Sequence, residues 1–212
     1  MKAFIFDMDG VIIDSEPLHF EVDIETMEHL GFQVSQDDLE KYVGMTNPAM
    51  WRLIRVEYGI ERTVEEIISY QQRRKIEELR ARDFAPIQGV VSLLAELKGR
   101  NLPIALASSS PRIFIEEVLR KFNMIDYFAS IVSGEEVPSG KPAPDIYLEA
   151  ALQLGVLPAD CVVLEDSRNG VIAAKEAGMR CIGYINIHSG DQDLSRADWI
   201  VNEIEDIPLF QL

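Results

Sequence analysis

The chain has 212 residues, 47% of them apolar, enough for one full α/β core with residues left over for a second, smaller unit. Thirty-six acidic residues against twenty basic ones give a formal net charge of −16, so the surface repels phosphate backbones and anionic headgroups, and neither a nucleic-acid polymer nor a membrane is expected as a partner. The same field repels a phosphorylated small molecule, and a substrate of that kind would need a local positive cluster or a bound cation.

Ala3–Phe6 reads as a buried strand directly after Met1-Lys2. It is too short for a signal-peptide core, and no apolar run approaches the ~20 residues that span a bilayer, so a cytoplasmic location is expected. Residues 16–83 show no strand pattern and four helical ones, at Leu18–Leu30, Asp37–Val43, Pro48–Tyr58 and Val64–Arg82. From about residue 84, apolar runs rich in β-formers alternate with helical patterns. Pro103–Ala107, Phe128–Val132, Cys161–Leu164, Cys181–Ile185 and Trp199–Val201 read as strands. Their hydrophobicity is continuous, which implies strands covered on both faces and hence a parallel, doubly wound sheet. The expected architecture is an α/β Rossmann-like core, residues 1–15 and 84–212, interrupted by an all-helical insertion, residues 16–83. Ser15-Glu16-Pro17 and Arg82 to Pro86 read as its hinges. Cys161 and Cys181 sit in strand-like runs and are expected as buried free thiols.

In an open parallel sheet, ligands bind beyond the carboxyl ends of the strands. Four such ends carry chemistry here: Asp7-Met8-Asp9-Gly10, Ser108-Ser109-Ser110, Lys141 and Glu165-Asp166. Each alone has a bland reading, as a turn, a helix cap, a solvated loop lysine or an acidic helix start. Carboxylates converging on one edge raise each other's pKa, and a hard, oxygen-seeking ion such as Mg²⁺ relieves the conflict. Asp7 is then the candidate nucleophile and Asp9 the acid and base. Lys141 and the Ser108 hydroxyl would stabilise charge on phosphoryl oxygens, and Gly10 and Ser109 would lie against the phosphate.

The run Phe6-Asp7-Met8-Asp9-Gly10 through Asp14-Ser15-Glu16 resembles the first motif of the haloacid dehalogenase-like hydrolases. Ala107-Ser108 resembles the second motif, Lys141-Pro142-Ala143-Pro144-Asp145 the third, and Leu164-Glu165-Asp166-Ser167 with Asn169-Gly170 the fourth. The resemblance covers essentially the whole chain, with the helical insertion in the place of the cap of the phosphatase and β-phosphoglucomutase-like branch. It implies Mg²⁺ held by Asp7, the Asp9 carbonyl and Asp166, with Glu165 contributing directly or through another group. Asp9 speaks against carbon–halogen and phosphonate cleavage, whose family members lack an acid there, and for phosphoester chemistry on a small phosphorylated metabolite. His19 stands where the mutase-like proteins have a histidine coupling cap closure to proton transfer. Val43–Pro48 resembles the substrate-specificity loop, but mutases place an arginine at or near Asn47 to grip a second phosphate and this sequence has none there, and Pro111-Arg112 replaces Lys-Asn-like residues after Ser110. Both departures favour a phosphatase, preferably for a sugar phosphate, over a sugar-phosphate mutase. A regulatory homologue that binds without turnover would show degenerate motifs. A monomer is expected, since the cap itself supplies the lid.

Overall fold

The structure, a computed structural model, describes residues 1–42 and 46–210. It divides into two compact units, one of Met1–Asp14 with Phe84–Leu212 and the other of Ser15–Asp83.

The second unit is helical, with α1 (Glu16–His29), α2 (Gln36–Glu40), α3 (Asn47–Tyr58) and α4 (Val64–Ala81). Its helix starts are encoded locally. Thr63 accepts from the Glu66 amide at 3.2 Å while Glu66 accepts from the Thr63 amide at 2.9 Å, a capping box that satisfies two otherwise unpaired donors at the start of α4. Ser35 and Asp38 do the same for α2. Gly59, with φ +65°, ends α3 in the left-handed turn that costs glycine least. The unit has its own core of Met27, Leu39, Trp51, Ile54, Val64 and Ile67. The expected helix over Asp37–Val43 ends at Glu40, where Lys41 and Tyr42 turn and both bond the Glu57 carboxylate, at 2.6 and 2.5 Å.

The first unit carries β1 (Ala3–Phe6), α5 (Val90–Gly99), β2 (Ile104–Ser108), α6 (Arg112–Lys121), β3 (Ser130–Ser133), α7 (Asp145–Leu154), β4 (Cys161–Glu165), α8 (Arg168–Glu176), β5 (Arg180–Tyr184) and β6 (Trp199–Val201). Among the described residues the strands form one sheet in the order β3-β2-β1-β4-β5-β6, every neighbouring pair parallel. Every residue of β1, β2 and β4 is buried, as continuous apolar runs require. β3 starts two residues later than expected because Ile125–Tyr127 forms a 3₁₀ turn and Phe128 packs edge-on against Phe6. Phe6 lies level with Leu106 on one side and Leu164 on the other. The carboxyl ends of β1, β2 and β4 therefore lie side by side, within two residues of these three positions, where the strand order reverses. Cys161 and Cys181 are buried free thiols. No helix among the described residues is long and apolar enough to cross a membrane.

Candidate active site

Asp7 follows β1, and its amide donates to Leu164 O at 3.0 Å, which fixes it beside the end of β4. The chain then folds back on itself. Val11, Ile12 and Ile13 all donate to Met8 O, and the Gly10 amide donates to Ile13 O at 2.8 Å. This tight turn sets Asp9 over the end of β2, where its Oδ2 accepts from Ser108 Oγ at 3.0 Å and Ser110 Oγ at 2.8 Å. The Ser108 hydroxyl proton is thus directed at Asp9 and not outward, while its oxygen accepts from the Ser110 amide at 3.0 Å. Ser109, between them, is exposed.

Lys141 reaches into the same edge. Its Nζ donates to Asp7 Oδ1 at 2.5 Å, Glu165 Oε1 at 2.7 Å and Ala107 O at 3.3 Å, and lies 5.0 Å from the centre of the Tyr147 ring. Glu165 is saturated. Oε1 also accepts from Tyr147 OH at 2.8 Å, and Oε2 accepts from the Ser167 amide and hydroxyl, both at 2.9 Å. Asp166 Oδ2 accepts from Ser189 Oγ.

The electrostatics follow from that arrangement. Burial works against the Lys141 ammonium, but the Asp7 and Glu165 charges keep it protonated above its ordinary range. Burial likewise penalises the Glu165 carboxylate, but Lys141 and the other donors bring it below its ordinary value. Asp7 is pushed well above the carboxylate range, chiefly by burial, with Lys141 opposing and Glu165, Asp166 and Asp9 adding to the rise. Asp166 is pushed up to about 8 by burial and by the Glu165 charge. The single ammonium therefore settles Glu165 and leaves the other two carboxyls wanting positive charge.

Asp7, Glu165 and Asp166 offer oxygen atoms that all lie within 4.8 Å of one another. Three carboxylates against one ammonium fall two positive charges short, and an all-oxygen donor set suits a hard divalent ion. The residues present therefore fit Mg²⁺, with Asp7 and Asp166 the more available donors because both Glu165 oxygens are already bonded.

Two glycines of the motifs are explained by close approach. A Cβ on Gly10, whose φ is +76°, would stand 1.9 Å from Asp166 Oδ2, and one on Gly170 would stand 1.5 Å from Glu165 Oε1. Gly10 thus lets its turn close onto Asp166, a reason distinct from access to phosphate. Four hydrogen bonds fix Glu165, so it cannot yield to a side chain at Gly170. Gly170→Ala is expected to cost about 2–3 kcal/mol of stability in denaturant unfolding. A loss under about 0.5 kcal/mol would mean that Glu165 moves aside freely.

His19 and Asn47 belong to the helical unit. Asn47 donates its amide to Gln71 Oε1 at 2.6 Å, and Gln71 in turn bonds Asp23, which lies 3.7 Å from Lys75 Nζ. Val43 to Met45 of the expected specificity loop lie outside the described residues. Arg112 is committed to Glu136, at 2.7 and 2.6 Å, and to Ile131 O at 2.6 Å, so this departure from the mutase pattern braces β3. A cleft of about 390 Å³ lined by His29, Arg62, Tyr70 and Arg73 lies on the helical unit, and none of the clustered carboxylates lines it.

Sequence reasoning placed Ser110 and Ser167 in motifs without a role of their own, and missed Tyr147, Asn186 and Ser189. Asn186 and Ser189 follow β5, so the strand-end rule would have found them had it been applied to one more strand. Tyr147 carries no signal, because an aromatic at helical spacing reads as core.

Comparison with known proteins agrees with this geometry. The family model described as haloacid dehalogenase-like hydrolase matches residues 4–184. Over 190 residues, 85% of this chain and 82% of the relative, the sequence is 37% identical to hexitol phosphatase B of Escherichia coli strain K12. Over 217 residues, 99% of this chain and 92% of the relative, it is 35% identical to the β-phosphoglucomutase of Bacillus subtilis. The fold matches a variant of CbbY from Rhodobacter sphaeroides in complex with xylulose-1,5-bisphosphate with a TM-score of 0.88 at 25% identity, over 98% of this chain and 96% of that one. A match running from β1 to the end of β5, with relatives covered over most of their length, makes this chain a member of the haloacid dehalogenase-like hydrolases, in their β-phosphoglucomutase-like branch.

Proposed function

We propose that the chain is a Mg²⁺-dependent phosphoric-monoester hydrolase that acts on a small phosphorylated sugar or sugar alcohol through an aspartyl-phosphate on Asp7. The observation that carries this reading is the pair of carboxylates two residues apart. Asp7 is buried against Lys141, while Asp9 has separate partners and is gripped by the Ser108 and Ser110 hydroxyls. A nucleophile and a separate proton carrier are what a two-step phosphoryl transfer needs.

In the first step a carboxylate oxygen of Asp7 forms a bond to phosphorus as the ester oxygen leaves, taking a proton from Asp9. In the second, Asp9 removes a proton from water, whose oxygen attacks the same phosphorus and releases phosphate and the Asp7 carboxylate. Lys141 opposes the negative charge that gathers on the phosphoryl oxygens, and Glu165 keeps the ammonium in place. Ser108 and Ser110 hold Asp9 at its station. Bound Mg²⁺, carried by Asp7, the Asp9 carbonyl and Asp166, would supply the positive charge that the cluster lacks and that a phosphate brings into demand. Substrate choice is assigned to the helical unit, acting as the cap, where His19 and Asn47 lie.

The likeness to a β-phosphoglucomutase over nearly the whole chain favours a second reading, a sugar-phosphate mutase. Asn47, where no arginine stands, and Arg112, tied to Glu136, count against it. Mg²⁺-dependent phosphate release across sugar, sugar-alcohol, acid and nucleotide phosphates tests the choice, with β-glucose 1-phosphate plus a trace of bisphosphate assayed for isomerisation. Release concentrated on sugar or sugar-alcohol phosphates supports the hydrolase. Isomerisation without net release makes the chain a mutase, and failure to bind Mg²⁺ or turn over an aryl phosphate makes it a binding homologue.

The role of Asp9 has its own test. Asp9→Asn is expected to slow release from an alkyl phosphate by roughly 10²–10⁴-fold and from p-nitrophenyl phosphate by at least about tenfold less, because a good leaving group needs little protonation. Equal losses on both would remove the acid role.

A further inference from the structure

Beyond β5 the chain runs through residues 186–192, a loop outside all four motifs that touches the first and the fourth at several points. Asn186 is 8% exposed. Its Nδ2 donates to Gly10 O at 2.9 Å and its Oδ1 accepts from the His188 amide at 2.8 Å, so both ends of its amide are committed. Ser189 Oγ donates to Asp166 Oδ2. His188 Nε2 lies 3.4 Å from Asp14 Oδ2. Gln192 accepts from the Arg168 amide at 3.0 Å and donates to Ser189 O at 2.8 Å, which fixes the loop at its far end.

The Asp166 carboxylate is consequently clamped from two sides. The position a Cβ of Gly10 would occupy is 1.9 Å from Asp166 Oδ2 and 2.8 Å from Ser189 Oγ, so the Gly10 turn, the carboxylate and the serine are in mutual contact. Asn186 holds the turn through Gly10 O, and Ser189 holds the carboxylate through Oδ2. Mg²⁺ demands near-ideal octahedral geometry, and partners that orient a carboxylate ligand typically set metal affinity by a factor of ~10–100.

We propose that the 186–192 loop is a strap that positions Asp166 for metal binding, Ser189 acting on the carboxylate and Asn186 on the Gly10 turn. The inference rests on the reading of Asp166 as a Mg²⁺ ligand and adds positioning residues that belong to no motif.

Calorimetric titration of the metal-free 212-residue chain with MgCl₂ tests it. Ser189→Ala is expected to weaken Mg²⁺ binding by roughly 10–100-fold while leaving the unfolding temperature in EDTA unchanged. Ser189→Thr, which keeps the hydroxyl, is expected to bind more tightly than the alanine variant. Wild-type protein that binds no Mg²⁺ would overturn the metal reading itself. Wild-type binding with equal affinity in Ser189→Ala would overturn the strap alone. A loss of affinity accompanied by a matching fall of the unfolding temperature in EDTA would also overturn it, because the serine would then serve the fold and not the ligand.

Discussion

Asp7→Asn is expected to lower Mg²⁺-dependent phosphate release by at least ~10⁴-fold, while leaving the metal-free protein as stable as the wild type or more so at pH 8. The two halves of that expectation have one cause. Asp7 is 5% exposed, and burial together with three neighbouring carboxyls raises its proton affinity despite the Lys141 contact. A carboxyl whose folded pKa is raised holds its proton more tightly folded than unfolded. Over the window between the two values the unfolded state binds fewer protons, and stability falls as pH rises. Asp166 behaves in the same way, over a window from its ordinary 3.8 to about 8. In EDTA the wild-type unfolding temperature should therefore drop between about pH 4 and pH 8, and Mg²⁺ should restore it. Asparagine keeps the size and one oxygen for Lys141 but carries no charge, so the variant should lose less stability across the same range, with the Asp166 contribution remaining. Retained turnover would remove Asp7 as nucleophile. A variant less stable than the wild type at pH 8 in EDTA would mean that Lys141 already compensates the buried charge in full.

The legible parts of this molecule are those whose physics is one-dimensional. β1, β2 and β4 announce themselves because strands buried on both faces need unbroken apolar runs, and Asp7, Ser108 and Glu165-Asp166 announce themselves because they interrupt those runs at one end. The start of β3 was less legible. Phe128 has the composition of a strand residue, and only its packing against Phe6 spends it before the strand begins. What a hydroxyl does is less legible still. Ser108 reads as a phosphate donor from its position, yet its proton goes to Asp9 because the turn at Gly10 carries that carboxylate across β2, a contact between residues 99 apart in sequence. Tyr147 and the 186–192 loop were hidden for opposite reasons. One looks like core, and the other looks like a polar surface loop. Both acquire their roles only when the sheet brings Glu165 and Asp166 to them.

Lys141→Met is the substitution expected to damage the fold most. Methionine matches the length of the lysine stem, so the loss isolates the ammonium. The lysine side chain is 6% exposed, and those of its partners Asp7 and Glu165 are 8% and 0% exposed, so water cannot replace the missing charge. Breaking a buried ion pair from one side costs roughly 3–5 kcal/mol, because the remaining charge is stranded. Here two carboxylates are stranded, with Asp166 beside them, but they can escape by taking up protons, and that sets the shape of the result. In EDTA the loss should be largest near pH 8, where protonation is most costly, and smaller near pH 5. Glu165 should contribute most of the change: it is the carboxyl that Lys141 holds below its ordinary value, and without the ammonium its burial goes unopposed. Added Mg²⁺ should recover part of the stability at pH 8, since a divalent ion neutralises the same oxygens, but phosphate release should stay low because no fixed cation faces the phosphoryl oxygens. A loss that does not vary with pH, or one under about 1 kcal/mol at pH 8, would mean that the cluster is neutral before the lysine is removed. The charge deficit from which the metal site is argued would then disappear with it.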